Sequence, residues 1–170
     1  MSASRRGRRG FPLFRTILLV ALVGLVLIGG GVASFLADQQ SRRQPLEVSL
    51  YPGAERWGQD PAQTETSRSV FYRVAGASVE TVANFYQDAL IQHNGSSEER
   101  CVRIPAEGQF PPEELQPGFV PYYFKCLFDR SGLGTTQYTE VIIMPGLPSS
   151  NPEYNTEGMT VVRYNQTWQP

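Results

Sequence analysis

The chain has 170 residues, of which 41% are apolar, 11% aromatic and 18% charged, with a formal net charge of −1. This balance supports one packed domain of ordinary size and excludes wholesale disorder, collagen and coiled coil. The charge is unevenly spread: five of the 15 basic residues lie in the first fifteen positions, and from Ala37 onward ten basic side chains face sixteen acidic ones. With Lys125 as its single lysine, the acidic part is a poor match for phosphate, so no nucleic acid is expected as a partner.

Residues 1–15 are expected to form a basic cytoplasmic tail. No charge lies between Arg15 and Asp38, and residues 16–36 read TILLVALVGLVLIGGGVASFL. At a rise of ~1.5 Å per residue this segment reaches roughly 31 Å as a helix, the thickness of a bilayer's hydrocarbon core. A transmembrane signal anchor is expected, with the lipid bilayer as its partner. Arg5, Arg6, Arg8, Arg9 and Arg15 outnumber Arg42 and Arg43 across it, which places the N-terminus in the cytoplasm. A cleaved signal peptide competes through the small residues Gly31-Val32-Ala33, although the apolar run exceeds a normal signal core. Twin-arginine export competes through Arg8-Arg9-Gly10-Phe11. A type IV pilin would share Gly10-Phe11, but Arg15 stands where pilins carry glutamate, and Gly29-Gly30-Gly31 and Pro45 are expected to interrupt the helix. A lipoprotein is excluded, because no cysteine follows the segment.

Residues 37–45, ADQQSRRQP, lack apolar periodicity and read as a linker. Residues 46–170 are then expected to form an extracytoplasmic α+β domain. A short strand over 47–50 is followed by Tyr51-Pro52-Gly53-Ala54, with Pro and Gly at the centre of a type II turn. Residues 55–65 are polar and read as irregular. The β-branched and aromatic content of 67–74 predicts a strand. Ser78 is a plausible N-cap for a helix running to about His93, because Val79, Val82, Phe85, Tyr86, Ala89 and Leu90 recur at three- and four-residue spacing. Asn94-Gly95 ends it.

Strands are expected next over 99–104, 122–129, 136–144 and 160–168. In the second of these, Tyr122, Phe124, Cys126 and Phe128 share one face, and in the last, Val162, Tyr164 and Trp168 do. Ser131-Gly132-Leu133-Gly134 supplies a hairpin turn. The order predicts an α+β fold, with one main helix packed on a largely antiparallel sheet of about five to six strands, preceded by the N-terminal transmembrane helix. The alternative is a small barrel of the four late strands with the helix as a plug.

Tyr51-Pro52-Gly53-Ala54, the strand after it, then Ser78-Val79-Glu80 with Phe85-Tyr86 and Leu90 resemble a group of small bacterial domains, often membrane-tethered, that carry a YPGA turn and a helix with an FY pair. The resemblance covers about residues 48–95 and implies an exported α+β module. Many of these domains have Gly-Trp after the helix, where this chain has Gly95-Ser96. The likeness carries over no catalytic residue.

Cys101 and Cys126 are the only cysteines, and with one histidine in the chain a zinc site lacks ligands. A disulfide is the expected state, worth about 3.5 kcal/mol in the chain-entropy account for a loop of ~25 residues; two buried free thiols are the alternative. No cofactor or metal is expected. His93 sits at a helix C-terminus, where it complements the dipole, and no nucleophile motif or phosphate-binding loop is present. Glu98-Glu99 and Glu113-Glu114 read as solvated surface, and residues 151–157 only faintly echo a calcium loop. Two sequons, at Asn94 and Asn165, matter only in a glycosylating host.

The strongest candidate for an interaction loop is residues 105–121, PAEGQFPPEELQPGFVP, which hold five prolines and the apolar Phe110, Leu115 and Phe119. Connections this long are often functional, and prolines lower the ordering cost of binding. The competing reading folds these three side chains back onto the sheet. The function expected from the residues is a non-enzymatic, single-pass membrane-anchored binding module with a protein or envelope partner. The alternatives are a carboxylate-dependent hydrolase outside the cytoplasm and an assembly factor of a membrane complex.

Overall fold

The computed structural model describes residues 11–59, 63–96, 98–109, 120–132 and 134–169. The chain divides into two units, residues 1–41 and 42–170. In the first, α1 (Phe11–Ser41) is a continuous helix of 31 residues. It carries through Gly29-Gly30-Gly31, correcting the expectation that these glycines interrupt it: glycine costs about 1 kcal/mol of helix propensity relative to alanine, a penalty a long helix absorbs without a break. Within its Phe14–Ser41 stretch an 18-residue window reaches a mean hydropathy of 2.6, and the helix is long and apolar enough to cross a membrane. The helix also takes in residues 37–41 of the expected linker.

The second unit is α+β. Its strands are β1 (Glu55–Gln59), β2 (Ser67–Val74), β3 (Val102–Ile104), β4 (Tyr123–Asp129), β5 (Gln137–Pro145) and β6 (Thr160–Trp168), and its helix is α2 (Val79–Asn94). They form one antiparallel sheet of order β1-β2-β6-β5-β4-β3. The sheet is open, with β1 and β3 at its edges, so the barrel alternative is not the one adopted.

The ends of α2 follow from local chemistry. The Ser78 hydroxyl accepts from the Thr81 amide, and Gly95 takes the left-handed conformation at φ 65° while its amide donates to the Ile91 carbonyl. The stripe Val79, Val82, Ala83, Tyr86 and Leu90 is buried, against Cys126, Phe128, Val141 and Ile143 of the sheet. As expected for β4, Cys126 and Phe128 point inward while Leu127 is exposed.

Residues 47–50 form no strand. They belong to an extended strap, residues 44–51, whose backbone is held on the inner face of the sheet by side chains. The Gln44 carbonyl accepts from Gln137 Nε2 at 2.8 Å, and the Leu46 carbonyl accepts from Thr139 Oγ1 at 2.6 Å and Gln166 Nε2 at 2.7 Å. Further along, Tyr164 Oη donates to the Ser49 carbonyl at 3.2 Å, and the Tyr51 amide donates to Tyr86 Oη at 3.2 Å. The two phenols meet at 2.8 Å. Since Tyr164 gives its one proton to Ser49, Tyr86 must donate to Tyr164. Burial raises the pKa of both phenols, so they stay protonated donors. The strap ends in the expected turn, with the Ala54 amide donating to the Tyr51 carbonyl at 3.0 Å and Gly53 at φ 81°.

The first strand is instead β1, within the stretch read as irregular. Its polar residues suit an edge strand, and a bulge between Arg56 and Gly58 disguises the alternation. The loop from β5 to β6 is tied back on itself. The Gly146 amide donates to the Met159 carbonyl and the Thr156 amide to the Leu147 carbonyl. A Cβ on Gly146 would lie 1.8 Å from the Thr156 carbonyl oxygen. Gly146→Ala is therefore expected to destabilise the domain by about 3 kcal/mol, measured by urea unfolding, whereas Gly76→Asn, at φ 73° with open space around it, should cost less than about 1 kcal/mol.

Candidate interaction surface

α2 and the strap cover one face of the sheet; the opposite face carries a row of side chains set by strand register. Phe71 on β2 pairs with Arg163 on β6, Arg163 with Ile142 on β5, and Ile142 with Lys125 on β4. Beyond Phe71, the β1 bulge presents Trp57, whose ring meets Phe71 edge-on with centroids 6.3 Å apart. Tyr154, from the β5–β6 loop, meets Trp57 at 6.4 Å, and Trp57 Nε1 donates to the Glu153 carbonyl at 2.9 Å. Trp57, Gly58, Phe71 and Tyr154 line an open apolar cleft of about 250 Å³, and Tyr154 is 58% exposed. The Arg163 guanidinium lies 5.3 Å from the Phe71 ring centroid, a cation–π arrangement that ends the cleft on its β6 side.

Inward from the cleft the face is polar and connected. Arg163 Nη2 donates to Ser69 Oγ at 3.4 Å, Ser69 donates to Asn165 Oδ1 at 2.8 Å, and Asn165 Nδ2 donates to Glu140 Oε2 at 3.0 Å. Glu140 also pairs with Lys125. Burial opposes ionisation of Glu140, but hydrogen bonds from Lys125 and Asn165 outweigh it and hold the carboxyl below its ordinary range. The same bond to Glu140 holds Lys125 above its ordinary value. The expected sequon at Asn165 thus falls on a side chain already engaged. This surface can hold a flat or apolar group against aromatic rings and offer it a cation at one end.

The expected disulfide is formed between Cys101 and Cys126, 25 residues apart in sequence. It lies in a clamp at the root of the 105–121 loop. The Cys101 amide donates to Gln87 Oε1 at 2.7 Å, and Gln87 Nε2 donates to the Glu99 carbonyl at 3.1 Å, so one amide on α2 fixes the approach to β3. Arg103 Nη1 donates to the Pro105 carbonyl at 2.8 Å, and its guanidinium stands 4.4 Å from the Tyr122 ring centroid. Tyr122 Oη donates to Glu80 Oε1 at 2.7 Å. Burial, then the Glu80 bond, pushes the Tyr122 phenol up to about 12, and the bond from Tyr122 pulls the Glu80 carboxyl down. Phe110, Leu115 and Phe119 lie outside the described residues.

The other candidates are not brought together. His93 packs edge-on against Phe128 at 5.7 Å, on the opposite side of the sheet from the aromatic cleft. In residues 151–157, Asn151 Oδ1 accepts from the Glu153 amide, and Asn155 Oδ1 from the Ser149 and Glu157 amides; the side chains shape turns. The aromatic cleft was not foreseen from sequence. Its one signal was Trp57, a large aromatic side chain in an otherwise polar stretch.

Compared with known proteins, the chain matches no family model, no curated protein and no solved structure.

A carboxyl held low by a folded-state bond stabilises the fold above its unfolded pKa, and that contribution is lost as pH falls through the folded value. Tyr122→Phe is expected to move the Glu80 carboxyl up toward its ordinary range in an NMR pH titration, with no more than about 1 kcal/mol lost at pH 7, because the pair is exposed.

Proposed function

We propose that this chain is a single-pass membrane-anchored interaction module, non-enzymatic, whose 46–170 domain stands outside the cytoplasm and binds an envelope component or surface protein through the open face of its sheet. The observation that carries the reading is the contrast between the two faces. One is sealed by α2 and the strap, whereas the other presents Trp57, Phe71 and Tyr154 around an apolar cleft beside Arg163. Aromatic side chains at an open cleft next to arginine are the residue types that dominate binding energy at interfaces. The continuous apolar helix supports the anchor, and the arginines ahead of it support a cytoplasmic N-terminus. A disulfide fits an oxidising compartment. The resemblance to membrane-tethered bacterial modules agrees with this placement.

Alkaline carbonate is expected to leave the protein in the membrane pellet, and protease added to intact spheroplasts should digest the C-terminal domain. Release into the carbonate supernatant would refute the anchor, and a protected domain would refute the orientation. For the face itself, a photo-crosslinking residue at position 154 should capture the partner. Adding Trp57→Ala should cut the yield at least tenfold while the thermal transition shifts by less than about 5 °C. Undiminished capture would remove the cleft from the binding surface.

A further inference from the structure

The cleft beside Arg163 suits a narrower class of partner than an apolar patch alone would. Its rings meet edge-on, Trp57 with Phe71 at 88° and with Tyr154 at 71°, so they wall a recess and offer no flat platform. The one polar atom of the indole is engaged inward on the Glu153 carbonyl. An occupant therefore meets ring edges and ring faces, which suit a compact apolar side chain. At about 250 Å³ and open to solvent, the recess would leave much of a free small molecule in water. A side chain carried on a protein gains the rest of its contact from the sheet around the recess.

Arg163 supplies the second half of the site. Its Nη2 makes one long bond to Ser69 at 3.4 Å, and its Nε is buried with no hydrogen-bond partner among the described residues. No carboxylate stands within ion-pair distance of it among those residues: Glu140 is taken by Lys125, Glu55 by Arg73 and Glu47 by Arg68. Glu140 reaches it only through Asn165 and Ser69. In a domain with sixteen acidic side chains against ten basic ones from Ala37 onward, this guanidinium is left on the Phe71 ring without a counter-charge.

A single cation in acidic surroundings matches a singly charged carboxylate better than a phosphate, and the planar guanidinium can donate to both carboxylate oxygens at once. Phe71 stands between the two halves, 6.3 Å from Trp57 and 5.3 Å from the guanidinium. Side chains at i and i+2 of an extended chain share a face about 7 Å apart, so one intervening residue spans the step. Resting on the open-face reading above, we propose that the cleft reads an extended segment of a partner protein, in which an apolar side chain fills the recess and a Glu or Asp two positions away bridges to Arg163.

Trp57 and Trp168 are the only tryptophans, so the full chain carrying nitrogen-15 tryptophan in detergent micelles gives one indole signal at the cleft and one control. The probe is the end-blocked peptide Ser-Phe-Ser-Glu-Ser, titrated to ~10 mM because a fragment of this size binds weakly. The expected result is a saturable shift of the Trp57 signal with the Trp168 signal still. Replacing the peptide's Glu by Gln should weaken binding about fivefold, and replacing its Phe by Ser should abolish it. Arg163→Gln should erase the preference for Glu, so that both peptides bind the variant alike. Equal binding of the Glu and Gln peptides to the native chain overturns the carboxylate bridge. A Trp57 signal that neither peptide moves overturns this class of partner and leaves the open face to its crosslinking test. A preference for Glu that survives Arg163→Gln overturns the assignment to Arg163. Should that variant fail to fold, Arg163→Lys, which keeps the charge and loses the fork, takes its place: a narrowed preference supports the bridge, and an undiminished one overturns it.

Discussion

The Leu46 carbonyl, held by Thr139 and Gln166 from adjacent strands, is the contact on which the inner face of the domain depends. Thr139 and Gln166 are polar groups inside an antiparallel sheet, at positions where valine or leucine would ordinarily sit. They are tolerated there because the strap brings them an acceptor, and the strap stays because it finds two donors at once. At about 1 kcal/mol net per bond and about 2 kcal/mol for burying Leu46, the arrangement is modest in sum. Its weight lies in the pairing: the strap that buries these two donors also supplies their acceptor.

The same division of labour separates the two faces. Helix and strap split the inner face between them, the helix supplying apolar packing over β4 and β5 and the strap supplying carbonyls over β5 and β6. The outer face needs no cover, because its polar side chains satisfy one another through the chain from Arg163 by Ser69 and Asn165 to Glu140 and Lys125. Its aromatic end, at the β1 bulge, gathers apolar side chains from three stretches of the chain around an open cleft.

Most of the fold was legible in the sequence. β2 and β6 match their predicted limits, the α2 stripe and both its caps stand where the spacing put them, and the cysteines are joined. Strong periodicity and turn chemistry are local signals, so they survive being read one segment at a time. Several of the differences fall where a distant partner decides. Residues 47–50 have the composition of a strand, but Tyr164 takes the Ser49 carbonyl, and Thr139 and Gln166 take that of Leu46 just ahead, all from ninety or more positions away. β1 was hidden by its bulge, which breaks the alternation that would have revealed it. The aromatic cleft unites Trp57, Phe71 and Tyr154 from three separate stretches, and only the register of the sheet and the folded β5–β6 loop bring them together.

The two buried phenols have one further consequence. Because each carries a single hydrogen, the line from the Tyr51 amide through Tyr86 and Tyr164 to the Ser49 carbonyl has a direction and cannot be reversed. It starts and finishes on the same strap, two residues apart, so helix, sheet and strap are closed into one ring of donors and acceptors. Removing either oxygen with phenylalanine opens that ring and leaves the other tyrosine short of a partner. The pair at 86 and 164 is therefore one indivisible element of the architecture, and a substitution at one is felt at the other.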